Sequence, residues 1–178
     1  MKKNFYILII FYLFVSCEKE NRTDEPLPAF RTVIVYIAGD NDLSDDALND
    51  IEEMKRGYSE AGVNLIVFAD LQGQAPEILK IGKNSAEIVL RYPEFNSAEA
   101  AQVQRTLNDI VTMYPAASYG LVLWSHATSW LPAGVRLRSF GQDSDKQMNI
   151  AELAAALPVH FDFILFDACL MGAVEVAC

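Results

Sequence analysis

The sequence predicts an α/β sandwich, a mostly parallel sheet covered by helices on both faces. Four short runs of β-branched, aromatic and aliphatic residues read as strands buried on both faces, and stretches with apolar residues at helical spacing fall between them. Composition agrees. Of 178 residues 52% are hydrophobic and 21% charged, which excludes a disordered or low-complexity chain and allows one domain with a substantial core.

The first sixteen residues stand apart. Lys2 and Lys3 precede an apolar run from Phe5 to Val15, followed by Ser16-Cys17. A positive head, a short apolar stretch and a small residue describe a secretory signal, and the run is shorter than the roughly 20 residues that span a bilayer. Ser16-Cys17 resembles the bacterial lipobox. That implies lipidation at Cys17, a membrane association through the lipid, and a place in the cell envelope as an outer-membrane or surface lipoprotein of a Gram-negative bacterium. Residues 17–29 are charged, carry two prolines and lack an apolar period, so they read as a linker. The globular part is then 30–178.

Within it Val33–Ile37 is the first strand. Ser44-Asp45-Asp46 caps a helix with Ala47, Leu48, Ile51, Met54 and Tyr58 on its apolar face. Val63–Ala69 is the second strand, and Glu77–Ile81 with Glu87–Tyr92, split by Gly82-Lys83-Asn84, reads as a hairpin. Ser97 caps a helix that carries Val103, Leu107, Ile110 and Val111. Leu121–Trp124 is the third core strand, Asn149 and Glu152 form a capping box for a third helix, and Phe161–Phe166 is the fourth core strand.

In a parallel sheet, functional groups gather beyond the carboxyl ends of the strands. The loops after Ala38, Ala69, Trp124 and Phe166 are therefore the ones to search. Strand three runs into Ser125-His126 and strand four into Asp167-Ala168-Cys169. An imidazole and a thiol at one sheet edge suit nucleophilic catalysis, because the imidazole takes the thiol proton and later protonates a leaving amine. Taken singly, Cys169 reads as a small buried hydrophobe and His126 as a satisfied strand-end residue. Together, at the productive ends of core strands, they read better as a catalytic pair.

Leu121-Val122-Leu123-Trp124-Ser125-His126 with Trp130, and Phe166-Asp167-Ala168-Cys169-Leu170-Met171, resemble the clostripain family of cysteine peptidases. Ala38-Gly39-Asp40-Asn41-Asp42-Leu43 and Glu53-Met54 are similar to that family's first strand and helix. The resemblance implies a caspase-like α/β/α fold and a dyad of His126 as base and Cys169 as nucleophile. It also implies protein or peptide substrates cut after Arg or Lys. Ala127 stands where the family generally has glycine, and its N–H with that of Cys169 would bind the oxyanion. Asp167, two residues before Cys169 and on its face of an extended strand, would pair with the substrate's basic side chain; a helix N-cap is its other reading. Family members continue well past the cysteine, whereas this chain ends nine residues later. The sandwich is therefore expected to be incomplete at its C-terminus, and the chain inactive by itself. Arg136, Arg138 and Lys146 are basic sites where self-cleavage could mature the enzyme.

Other readings stay open. Asp40 and Asp42 are weak metal candidates; the resemblance makes calcium worth naming, but no cofactor is required and helix capping explains these acids as well. The same D-x-D pair suits a magnesium-dependent phosphohydrolase that needs neither Cys169 nor His126. A non-catalytic surface lipoprotein, either a binding module or a pseudo-peptidase, is the third possibility. The net charge of −10 excludes general nucleic-acid binding, which needs clustered Lys and Arg.

Overall fold

The structure, a computed structural model, describes residues 29–59, 62–127, 139–144, 146–169 and 171–172. Cys17 and its linker up to Pro28, Trp130, Arg136, Arg138 and Cys178 lie outside them.

Six strands form the central sheet: β1 (Arg31–Gly39), β2 (Val63–Leu71), β3 (Glu77–Gly82), β4 (Ser85–Arg91), β5 (Tyr119–Trp124) and β8 (Phe163–Asp167). Their order is β4-β3-β2-β1-β5-β8. β1 is parallel to β2 and to β5, and β5 is parallel to β8; β3 alone runs against the others, antiparallel to both β2 and β4. Asn84 turns that hairpin at a φ of 56°, a conformation asparagine tolerates.

Side chains alternate across the sheet and divide the core in two. Ile34, Tyr36, Ile66, Phe68, Leu121 and Leu123 face α2 (Ala100–Met113) and α3 (Ile150–Ala156). Val35, Ile37, Val67, Ala69 and Trp124 face α1 (Ser44–Gly57), whose Ala47 and Ile51 are buried against them. The three central strands are apolar on both faces because both faces are covered. At the edge, β8 leaves Phe163, Ile164 and Leu165 39–55% exposed.

Two expected caps act differently. Ser44 is the first residue of α1 rather than its cap, and its hydroxyl accepts a bond from the Gln72 amide. The entry turn is closed instead by Asn41 Oδ1, which accepts from the Leu43 amide at 2.9 Å. α2 begins three residues after Ser97, with Glu99 in the cap position and no side-chain cap. Asn149 does cap α3, accepting from the Ala151 amide at 2.8 Å. Leu48, expected on the buried face of α1, is 41% exposed.

A second, two-stranded sheet of β6 (Ser139–Asp143) and β7 (Lys146–Asn149) lies between β5 and α3, where the sequence pattern predicts no strand. It holds only two large apolar anchors, Phe140 and Met148, both buried in the α2–α3 side of the core. It is tied to the main sheet by a bridge between Ala127 and Phe140.

Candidate active site

Strand order reverses at β1: the connection through α1 carries the chain to β2 on one side, while β5 and β8 lie on the other. Loops leaving adjacent strands in opposite directions open a crevice at the carboxyl edge. The loop after β1 (40–43) and the loop after β5 (125–127) flank that crevice, and the end of β8 lies beside them. Trp124 is in register with Ile37 on one side and Asp167 on the other. His126 and Cys169 each follow this row by two residues, just past the ends of neighbouring strands, which stand about 4.8 Å apart.

The loops are knit together by hydrogen bonds. Ser125 is buried; its hydroxyl donates to the Ala38 carbonyl at 2.6 Å and accepts from the Gln142 amide at 3.0 Å. Asn41 donates through Nδ2 to the carbonyls of Gln142 at 2.7 Å and Ala38 at 3.1 Å. The Gly141 amide donates to the His126 carbonyl at 3.1 Å, and Gly141 adopts a φ of 78°. Each of these bonds satisfies a polar group that burial would otherwise leave bare.

His126 is half-buried, and its Nε2 lies 2.8 Å from Asp42 Oδ1. The hydrogen bond from His126 holds the Asp42 carboxyl below its ordinary value, with lost hydration acting in the opposite sense. This contact is absent from the sequence reading, which treats Asp42 as a helix-capping acid or as a metal or D-x-D candidate. The available signal was position: Asp42 sits in the first loop at the same sheet edge as His126. Cys169 is an exposed free thiol. Asp167 borders an open groove of about 390 Å³ on the α1 side, which also holds Trp124, Asp50 and Glu53. There Asp50 accepts the Trp124 indole N–H at 2.8 Å, pinning α1 to β5.

Asp40 does not join Asp42. Its carboxyl is raised by burial and by the charge of Asp143 at the end of β6. It belongs to an acidic group with Asp70, Glu94 and Asp143 on the α2 side, where Ser97 donates its amide to Asp143 at 2.6 Å. Asp70, fully buried at the end of β2, makes no hydrogen bond through either oxygen. Burial pushes its carboxyl up to about 7, the neighbouring acids push it the same way, and the nearby Ser97 hydroxyl offsets this only in part. Among the described residues, no three His, Cys, Asp or Glu side chains are arranged to hold a metal ion. Lys146, in β7, pairs with Glu99 at 2.7 Å.

The sequence model of the clostripain family matches residues 35–178. Clostripain of Hathewaya histolytica is 27% identical over 188 residues, a match covering 82% of this chain and 35% of clostripain. A secreted C11 cysteine protease from Bacteroides thetaiotaomicron, solved with an irreversible peptide inhibitor, is 38% identical with a TM-score of 0.71, over 84% of this chain and 45% of that one. An inactive zymogen C11 protease from Parabacteroides distasonis is 39% identical with a TM-score of 0.68, over 85% of this chain and 45% of that one. The chain thus spans about a third of clostripain and less than half of the two solved proteases. The mostly parallel sheet between helices is the caspase-like arrangement of those proteases, and the chain belongs to the clostripain family.

Proposed function

We propose that the protein is a cysteine endopeptidase that cleaves after Arg or Lys, with His126 as general base and Cys169 as nucleophile. The observation that supports this reading is the register of β5 and β8: Trp124 pairs with Asp167, and His126 and Cys169 each come two residues later along the chain's path past the sheet edge. Cys169 Sγ gives its proton to His126 and attacks the scissile carbonyl carbon. The N–H groups of Ala127 and Cys169 stabilise the oxyanion. As the tetrahedral species collapses, the imidazolium protonates the departing amine and leaves a thioester on Cys169. Water then attacks the thioester while His126 takes its proton, releasing the acid and restoring the thiol.

The basic preference rests on Asp167. With Asp50 and Glu53 it makes one wall of the α1-side groove acidic over an apolar floor that includes Trp124 and Val122. Such a surface suits a long aliphatic stem ending in a cation. Secretion with a lipid on Cys17 and maturation by self-cleavage at Arg136, Arg138 or Lys146 belong to the same reading. For Lys146, cleavage would require the β6–β7 hairpin to open and the Glu99 pair to break.

A peptidyl acyloxymethyl ketone with Lys at its reactive end tests the assignment. The full-length protein should gain the peptidyl mass on Cys169, none in Cys169→Ala, and far less in His126→Ala. Labelling at another residue, or labelling of Cys169 that ignores the histidine, would count against it.

A further inference from the structure

We propose that Asp42 is the positioning residue of this pair: its carboxylate fixes His126 in the tautomer that leaves Nδ1 as the base. The proposal rests on His126 being the base, as in the function proposed above.

The geometry supplies the argument. Asp42 Oδ1 stands 2.8 Å from His126 Nε2. A carboxylate offers only acceptors, so the hydrogen between these atoms belongs to Nε2. Neutral imidazole carries one N–H, and its other nitrogen must then hold the free lone pair. The proton leaving Cys169 Sγ therefore goes to Nδ1, and the same Nδ1–H later protonates the leaving amine. Asp42 keeps its charge throughout. When Nδ1 is protonated, the Nε2–H bond to Asp42 becomes charge-assisted and strengthens as the positive charge forms.

Both ends of this contact are held in place. The Asp42 backbone lies in the turn that Asn41 closes through Leu43 and anchors to Ala38 and Gln142. The His126 backbone is held by the Gly141 amide and by the Ala127–Phe140 bridge. β6 thus braces both loops, and ring orientation remains for Asp42 to set. Asp42 itself is largely exposed, so water competes for the contact and the effect is moderate.

The test combines kinetics with imidazole ¹⁵N NMR on the full-length protein, using Asp42→Ala, Asp42→Asn and His126→Gln; the signals missing in the last identify the His126 ring. At a pH where the ring is neutral, wild type should carry its proton on Nε2, and Asp42→Ala should show a mixture of tautomers. The kcat of Asp42→Ala should fall about fivefold with KM unchanged, the scale of an exposed ion pair. Asp42→Asn, whose Oδ1 still accepts the N–H, should restore the tautomer and part of kcat. A wild-type ring protonated on Nδ1, or an Asp42→Ala protein with the same tautomer and kcat as wild type, overturns the proposal while leaving the His126–Cys169 pair intact. Full turnover in His126→Gln overturns both.

Discussion

Ser125 donates its hydroxyl proton to the carbonyl of Ala38, 2.6 Å away across the β1–β5 pair. The same oxygen accepts from Gln142, so one side chain joins the strand before His126, the strand before Asp42 and the small β6–β7 sheet. Neither residue reacts with anything. Their bond sets the spacing of the two loops that do face the crevice.

Ser125→Ala removes this joint, leaving the Gln142 amide without its partner and the Ala38 carbonyl with only Asn41. A loss of about 1–3 kcal/mol in unfolding free energy is expected, with a fall in turnover as the loops loosen. Urea denaturation checks it; a midpoint equal to that of wild type would mean that water or a neighbour replaces the hydroxyl at no cost.

Gly141→Ala probes the same region through the backbone. Space is not the obstacle, since an added Cβ would meet Ala98 and Ala38 side chains no nearer than 3.6 Å. The φ of 78° is. An L-residue held there costs about 1–2 kcal/mol, and relaxing it would pull the Gly141 amide from the His126 carbonyl. Thermal melts should show the loss, and an unchanged Tm would show that this turn tolerates a side chain.

Strands β1, β2, β5 and β8 were legible because they read as continuous apolar runs, the signature of burial on two faces. The β6–β7 hairpin was not. Its strands are five and four residues long and mostly polar, and they form because Phe140 and Met148 anchor them in a distant core. Ser97 misleads for a related reason: local pattern makes it a helix cap, yet its amide is taken by Asp143, far along the chain. The site divides in the same way. His126 and Cys169 stand out because each ends a strand, whereas Asp42 acquires its meaning only from sheet order, which sets β1 beside β5.

Asp70 gives the protein a pH-dependent stability. Its carboxyl titrates near 7 in the folded chain, against about 3.9 when unfolded. Between these values the folded state holds the extra proton, so stability falls as pH rises from about 4 to about 7 and levels off above. Asp70→Asn lacks this ionisation. Its stability relative to wild type should rise across that window by on the order of 2–4 kcal/mol, then stay constant. Denaturation curves for both proteins from pH 4 to 8.5 give the comparison, and parallel pH profiles would mean that Asp70 titrates normally.

The central claim is that His126 and Cys169 form a peptidase pair with a basic-residue preference. Fluorogenic peptides with Arg, Lys, Asp or Phe before the bond test it most directly, using full-length wild type, Cys169→Ala, His126→Ala and Asp167→Asn. The account predicts cleavage of the Arg and Lys peptides only, none by Cys169→Ala, and a loss of about 10²- to 10⁴-fold in His126→Ala, the usual share of proton transfer. Asp167→Asn should keep its nucleophile and lose chiefly the basic preference. Equal hydrolysis of all four peptides, or full activity in Cys169→Ala, would contradict it.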